Sequence, residues 1–185
     1  MDNGASSYRR FLDGDDGGIV EIIKDYKDGL MFYINGIVGD LHTAEELTED
    51  TFVKIVTKKP RFSGKSSFKT WLYAIGRNVT LDYLRKYSKI KGFSEDEKTH
   101  LSADEENFEK TFLKEERKII LHRAMSRLKP EYKQVIWLVY FEDFSNKEVA
   151  KVMDKKVHNI EMLVSRARKA LKEELEREDF IYEEL

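Results

Sequence analysis

The sequence predicts an all-α protein of two small helical domains joined by a flexible acidic linker, with a helix-turn-helix in the second domain. Apolar residues recur at steps of three and four over long segments, which is the period of an amphipathic helix. The chain contains only two prolines, and no segment alternates apolar and polar residues as a strand would. Its 185 residues suit one ordinary domain or two small ones.

The first domain is predicted over residues 8–90. Its first helix covers about residues 19–38, and the apolar stripe consists of Ile19, Ile22, Ile23, Tyr26, Leu30, Ile34 and Ile37. Thr43 is predicted to cap the next helix, with Glu46 closing a capping box three residues later. That helix ends before Pro60 because a proline cannot continue it. Its apolar residues are Leu47, Phe52, Val53, Ile55 and Val56.

The segment from Ser67 to Lys86 predicts a further helix with an unusual surface. Its apolar stripe consists of Phe68, Leu72, Ile75 and Val79. Aromatic and basic residues occupy the other faces, namely Trp71, Tyr73, Tyr83, Lys69, Arg77, Arg85 and Lys86. The segment contains a single acid, Asp82. Its surface is therefore predicted to carry exposed aromatic rings together with cations that almost no acid neutralises.

Residues 91–116 are predicted to be an acidic linker. They are rich in Glu and Asp and poor in apolar residues, so they cannot bury enough surface to fold independently. Residues 176–185 form a second acidic segment, predicted to be a tail.

The second domain is predicted over residues 117–175. An amphipathic helix, "RKIILHRAMSRL", precedes Pro130, which suits the first position of the next helix. The apolar residues of that helix are Val135, Ile136, Leu138 and Val139. Ser145 and Glu148 form a capping box that opens a short helix. The inward residues of the short helix are Val149, Val152 and Met153, and those of the longer helix that follows are Val157, Ile160, Val164, Ala167 and Leu171.

A short helix, a tight turn and a longer helix are typical of a helix-turn-helix, whose second helix enters the major groove. Its outer face would present His158, Asn159, Glu161, Met162, Ser165 and Arg166, with Arg168 and Lys169 reaching phosphates. An ordinary helical hairpin is the alternative, because a cationic end also suits the helix dipole. The pattern alone leaves both interpretations open.

Charge is arranged in blocks along the chain. Residues 54–91 carry eleven bases and one acid, and residues 147–172 carry eight bases and three acids. Between them, residues 94–116 carry nine acids and three bases, and the last thirteen residues carry seven acids and one base. Two basic blocks suggest two surfaces that meet one polyanion, although charge runs are also common on solvated faces.

Several classes of function are not expected. The chain lacks cysteine, so disulfides and thiolate metal sites are excluded and a reducing compartment is expected. No apolar run is long enough to span a membrane and no signal peptide is evident, so we expect a cytoplasmic protein. The four histidines lie in separate segments and no glycine-rich loop could hold a phosphate. We therefore predict no enzymatic activity, no metal and no cofactor.

Three stretches closely resemble bacterial RNA polymerase sigma factors. They are "AEELTEDTFVKIV", "RFSGKSSFKTWLYAIGRNVTLDYLR" and "YFEDFSNKEVAKVMDKKVHNIEMLVSRARKAL". The resemblance is to the extracytoplasmic-function (ECF) group, the smallest members of the sigma-70 family. It covers about residues 8–90 and 117–175, in the order and at the spacing of the family.

The resemblance implies that the first domain is sigma region 2, which binds and melts the −10 promoter element. Aromatic faces would stack on unpaired bases while cations follow the backbone. The implied residues are Phe62, Gly64, Lys65, Ser66, Lys69, Trp71, Tyr73, Arg77, Asn78, Arg85 and Lys86. The first four would shape a loop pocket for a flipped base, with Asn78 facing it. For Trp71 and Tyr73 a merely structural role is the alternative, with Trp71 partly in the core.

The resemblance also implies docking on core RNA polymerase, through the clamp helices of its β′ subunit and through its β subunit. The acidic patch that would meet the clamp helices consists of Glu45, Glu46, Glu49 and Asp50. The family usually has Gln-Glu where this chain has Glu49 and Asp50. A merely solvated, well-capped helix is the alternative.

The second domain would be sigma region 4, which binds the −35 element. The implied residues are Lys156, His158, Asn159, Glu161, Met162, Ser165, Arg166, Arg168 and Lys169. The chain departs from the family at Asp154, where glycine is common, and at Glu161 and Leu163, where Lys and Arg are frequent. Asn159 could read adenine and Glu161 could accept a hydrogen bond from cytosine.

The resemblance therefore implies a sigma initiation factor whose partners are core polymerase and promoter DNA. Members of the group are commonly held inactive by an anti-sigma factor, so we expect such a partner too. Two other hypotheses are consistent with the helical pattern: a free-standing helix-turn-helix regulator that binds duplex DNA as a homodimer, and a helical adaptor that never touches DNA. Binding to duplex by the chain alone would favour the regulator, and dependence on core polymerase would favour the sigma factor.

Overall fold

The structure, a computed structural model, describes residues 3–91 and 116–177. Both ranges are helical and contain no strand, so the predicted all-α class is confirmed. The helices are α1 Asn3–Leu12, α2 Gly17–Val38, α3 Leu41–Lys58, α4 Phe68–Lys91, α5 Glu116–Ser126, α6 Pro130–Ile136, α7 Asn146–Met153 and α8 Val157–Arg177. A π-helical turn, Trp137–Phe141, continues α6. The predicted linker and tail fall almost entirely outside the described residues.

The predicted helix-turn-helix is present as α7, a short turn and α8. Ser145 caps α7, and its side chain and that of Glu148 bond each other's backbone N–H groups, so the predicted capping box is confirmed. The chain turns at Asp154, which adopts the left-handed conformation with φ of 51°. Asp tolerates that conformation better than most residues other than glycine.

Two details of the sequence prediction are wrong. Asp40, rather than Thr43, caps α3, because its Oδ1 accepts a 2.7 Å hydrogen bond from the Thr43 backbone N–H. Val157 was predicted to face inward but is exposed, since it is the first residue of α8 and precedes the buried stripe. Of the apolar residues of α3, Val53 and Val56 lie on its solvent side, with 56% and 38% of their surface exposed.

Helix α1 was not predicted. Tyr8 and Phe11 are its buried residues, and the Tyr8 hydroxyl donates a 2.7 Å hydrogen bond to the Pro60 carbonyl. Tyr8, Phe11 and Leu12 have the spacing of a helical face, which was the available signal. The backbone of α1 lies so close to α2 that a Cβ on Gly18 would overlap the Ser7 carbonyl oxygen.

The two halves of the chain pack against each other around one continuous hydrophobic cluster. The Tyr33 hydroxyl of α2 donates to Gln134 Oε1 of α6 at 3.4 Å, and both side chains are buried. The rings of Tyr73 and Phe144 lie 5.3 Å apart across the same boundary. The two halves therefore share a packed interface of buried side chains.

We predict that Gly18→Ala destabilises the protein by about 1–3 kcal/mol, because the added methyl group overlaps backbone atoms that cannot rotate away. Gly36→Ala is the matched control on the same helix: its Cβ would lie 3.5 Å from Lys133 Cβ, an ordinary contact. Urea unfolding followed by circular dichroism measures both variants. Equal stability of the two would show that α1 does not pack on α2 as described.

Candidate nucleic-acid interface

The loop between α3 and α4 is held at both ends and open at its tip. Pro60 is fixed by the hydrogen bond from Tyr8, and the Ser67 Oγ accepts a 3.2 Å hydrogen bond from the Thr70 N–H at the start of α4. At the tip, Gly64 has φ of 70°, and apart from its own atoms and its chain neighbours no atom of the described residues lies within 4 Å of the position where a Cβ would be. The loop therefore has fixed ends and free space beside its glycine.

An aromatic cluster connects this loop to the first turns of α4. The Phe62 ring lies 5.7 Å from Phe68 and 5.4 Å from Trp71, and Trp71 lies 5.2 Å from Tyr8. Phe62 and Trp71 are half-buried, whereas Phe68 is fully buried. Phe62 and Trp71 therefore pack against the core while part of each side chain remains accessible. For Trp71 this is the place partly in the core that was the alternative.

Tyr73 does not present an exposed aromatic face, so the expectation that it lies at the surface is wrong. Its side chain is 0% exposed, between Tyr33 of α2 and Phe144 of the second half. Burial raises the pKa of the Tyr73 hydroxyl, and the nearby Glu142 carboxylate raises it further. In this arrangement the ring cannot stack on a base.

The other polar residues predicted to meet the −10 strand, at the pocket or along the backbone, fall into two groups by exposure. Lys65, Asn78, Arg85 and Lys86 are exposed, and Arg85 forms a 2.8 Å ion pair with Asp82 one turn away. Ser66, Lys69 and Arg77 are half-buried. The Arg77 Nε is buried without a hydrogen-bond partner among the residues that the structure describes.

Lys69 of α4 forms an ion pair with an acid of the second half of the chain. Its Nζ lies 2.7 Å from Glu142 Oε2 and donates to the Glu142 carbonyl oxygen at 2.9 Å. The same ammonium group lies 5.1 Å from the centre of the Phe144 ring. Glu142 and Phe144 were not predicted as functional residues. No local pattern identifies them, because their partners in the first half lie more than seventy residues away.

The four predicted acids of α3 are all exposed. Glu45 lies 3.5 Å from Lys27, and Glu46 lies 3.5 Å from His42, both in exposed pairs. The exposed Val53 lies one turn beyond Glu49 and Asp50 on the same helix. The surface of α3 therefore presents four exposed acids, followed one turn later by the exposed Val53.

All nine residues predicted to meet the −35 element are exposed. Ile160 and Ala167 of α8 are 0% exposed and fix the orientation of the helix. His158 lies 3.8 Å from Glu161, so the two side chains pair on the outer face. Eight of these residues lie on the outer surface of α8, away from the core, and Lys156 directly precedes the helix.

A groove of about 770 Å³ lies beside this helix. Its lining is Leu121, Ile136, Tyr140, Phe141, Arg168, Lys169, Leu171, Lys172 and Leu175. Tyr140 and Phe141 are among the most exposed large apolar side chains of the described ranges. Two predicted phosphate contacts, Arg168 and Lys169, thus also border an apolar groove.

Within residues 3–91 and 116–177, no group of three or more His, Asp or Glu side chains is placed to hold a metal ion. No helix in that part of the chain is both long enough and apolar enough to cross a membrane.

Two family models match the chain in succession. Sigma-70 region 2 matches residues 22–90, and sigma-70 region 4 matches residues 118–171. Together they cover about two thirds of the chain.

Relatives and a solved structure agree with these matches. The ECF RNA polymerase sigma factor SigW of Bacillus subtilis is 26% identical over 170 residues, covering 88% of this chain and 91% of that protein. The RNA polymerase sigma factor YlaC of the same organism is 28% identical over 162 residues, covering 85% and 91%. The sigma factor RpoE from Bartonella quintana, solved in complex with the anti-sigma factor NepR, superposes with a TM-score of 0.66 at 22% identity, covering 84% of this chain and 95% of that one.

Proposed function

This chain belongs to the sigma-70 family of RNA polymerase sigma factors, as a member of its ECF group, and we propose that it directs core polymerase to promoters through −35 and −10 elements and assists melting. The observation that carries the proposal is the succession of a region 2 match and a region 4 match, each of which contains an exposed basic surface. Sigma factors are initiation factors rather than enzymes. Its place of action would be the cytoplasm, with the polymerase.

The −10 strand would run along α4 and the preceding loop. Trp71 and Asn78 are seven residues apart, so they share a face of α4 and lie about 10 Å apart along it. Phe62 packs against Trp71, and the space beside Gly64 is open. A flipped base could therefore lie between the Phe62 and Trp71 rings on one side and Asn78 on the other, while Lys65, Arg85 and Lys86 follow phosphates.

The −35 duplex would meet the outer face of α8. Arg166 and Lys169 are exposed cations suited to phosphates, and Asn159 lies near the amino end of the helix, where recognition helices contact bases. Glu161 would restrict the choice of base, because a carboxylate accepts from cytosine and repels phosphates.

Docking on core polymerase would use two surfaces. The acids of α3, followed by the exposed Val53 and Val56, would meet the basic β′ clamp helices. The apolar groove beside α8, with Tyr140 and Phe141 at its surface, would accept an apolar segment of the β subunit. The complex of RpoE with NepR supports the proposal that an anti-sigma factor also holds this chain.

Transcription in vitro with added core polymerase tests the proposal as a whole. Specific initiation that requires both the chain and core polymerase is the expected result. Tight, specific duplex binding by the chain alone would indicate a free-standing regulator instead.

We predict that Asp50→Arg prevents binding to core polymerase while the protein remains folded, because it reverses an exposed charge that would face a basic partner. Co-purification with core polymerase measures the effect. Asp13→Arg, an equal charge change at an exposed position between α1 and α2, should bind normally. Normal binding by Asp50→Arg would remove α3 from the docking surface.

Arg166→Ala should weaken promoter binding and reduce its salt dependence by about one unit of slope, because one phosphate contact is lost. Asn159→Ala should instead change the base preference at one position, by about 1–3 kcal/mol. Binding of holoenzyme to a randomised −35 element, at several salt concentrations, measures both effects. Lys24→Ala, at an exposed position of α2, is the control. An unchanged −35 preference in Asn159→Ala contradicts the proposed orientation of α8.

Phe62→Ala should retain core binding and −35 recognition but open linear promoter DNA poorly. Stacking on an aromatic ring contributes about 1–3 kcal/mol per base, comparable to the cost of unstacking one base. Permanganate footprinting of unpaired thymines measures opening, and a template with a pre-melted −10 bubble should recover much of the initiation. Thermal unfolding checks that loss of the contacts to Phe68 and Trp71 leaves the variant folded. Normal opening of the linear template would show that Phe62 is only a core residue.

A further inference from the structure

We propose that Tyr8 of α1 is a positioning residue for the −10 strand, because it holds the loop that carries Phe62 in place beside Trp71. The inference rests on the proposed role of this loop and of α4 in binding a flipped base, and it deepens that role. Sigma-70 region 2 matches residues 22–90, so α1 lies outside the matched segment. The match therefore assigns α1 no part in the pocket.

Tyr8 contacts both parts of the proposed pocket from the side of the core. Its side chain is 1% exposed, and the centre of its ring lies 5.2 Å from that of Trp71 on α4. Its hydroxyl donates a 2.7 Å hydrogen bond to the carbonyl oxygen of Pro60, two residues before Phe62 in the loop. The Phe62 and Trp71 rings, 5.4 Å apart, form one side of the proposed pocket. One buried side chain therefore connects the loop backbone with the helix that carries the second ring.

The contacts with α1 restrict the loop at its start. The proline ring fixes φ of Pro60, and the hydrogen bond from Tyr8 holds the carbonyl group, which restricts ψ. One residue earlier, the Lys59 ammonium group lies 4.9 Å from the centre of the ring of Phe11, a second buried aromatic residue of α1. Only one residue therefore separates the restrained backbone from Phe62.

Helix α1 is itself held on α2, so helix packing determines the position of the Tyr8 hydroxyl. The Ser7 hydroxyl donates a 2.7 Å hydrogen bond to Glu21 Oε2, and Arg10 forms a 2.9 Å ion pair with the same carboxylate. The close approach of the α1 backbone to Gly18 adds to these contacts. The hydrogen bond to the loop therefore orients the loop relative to the helices and does not simply move with it.

A positioning role and a merely structural role for Tyr8 make different predictions. Tyr8→Phe keeps a ring that can contact Trp71 and Phe68 but removes the donor to the loop. If the hydroxyl contributed to stability alone, its loss would weaken the binding of every DNA equally, through the fraction of folded protein. If it positions the pocket, the loss falls on the one base that the pocket holds. The ratio of affinities for DNA with and without that base separates the two roles.

The test uses holoenzyme, the full chain bound to core polymerase, and promoter fragments with an unpaired −10 element. In each fragment one nucleotide of that element lacks its base. For the unchanged protein, the position at which loss of the base weakens binding most identifies the base held in the pocket. Tyr8→Phe should reduce this weakening about three- to tenfold, since a neutral hydrogen bond contributes about such a factor. Its affinity for the fragment that lacks the base should stay unchanged.

Tyr33→Phe is the matched control. It makes the same chemical change at a fully buried tyrosine of α2, where it removes the 3.4 Å hydrogen bond to Gln134, and it leaves the loop untouched. Its discrimination between fragments with and without the base should equal that of the unchanged protein. Circular dichroism checks that each variant is folded.

Pro60→Ala is a second variant that acts on the loop without altering the buried residues of α1. It keeps the carbonyl group that accepts from Tyr8 but releases φ at the same residue. It should reduce the discrimination in the same direction as Tyr8→Phe, which keeps the test decisive if Tyr8→Phe folds poorly. Phe62→Ala should lose the discrimination at the same nucleotide, because it removes the ring itself.

Each outcome decides the proposal. Reduced discrimination in folded Tyr8→Phe and Pro60→Ala, but not in Tyr33→Phe, would support it. Unchanged discrimination in both loop variants, equal weakening with and without the base, or an equal loss in Tyr33→Phe would overturn it. The proposed function of the pocket would survive that result if Phe62→Ala still loses the discrimination. If no single base affects binding of the unchanged protein, the pocket itself is wrong, and the role of Tyr8 with it.

Discussion

The packing of the two halves around one hydrophobic cluster constrains the rest of the structure, and it includes an ion pair between Lys69 of α4 and Glu142 after the π-helical turn. A carboxylate with so little exposure is stable only where its charge and its hydrogen bonds are satisfied. Lys69 supplies the opposite charge and Trp137 a further donor. Lys69 and Trp71 are two residues apart on α4, so this contact lies on the opposite face of the helix from Trp71 and Asn78.

A surface that binds single-stranded DNA conflicts with the needs of the free protein. Aromatic rings that stack on bases expose apolar area when no DNA is present, and adjacent cations repel one another. The first half reduces the exposed area by packing Phe62 and Trp71 against the core. The second half covers the opposite face of α4, where Phe144 contacts Tyr73 and Glu142 pairs with Lys69.

Local patterns predicted the helices well, because a buried stripe and a cap leave a signal within a few residues. The capping box at Ser145 and the position of Pro130 at the start of α6 are confirmed examples. The burial of Tyr73 could not be predicted, because the residues that cover it lie at Tyr33 and Phe144, far away in sequence. The exposure of the nine residues, Lys156 before α8 and eight on it, agrees with the stripe that predicted an outward face, whereas their roles toward DNA stay predictions.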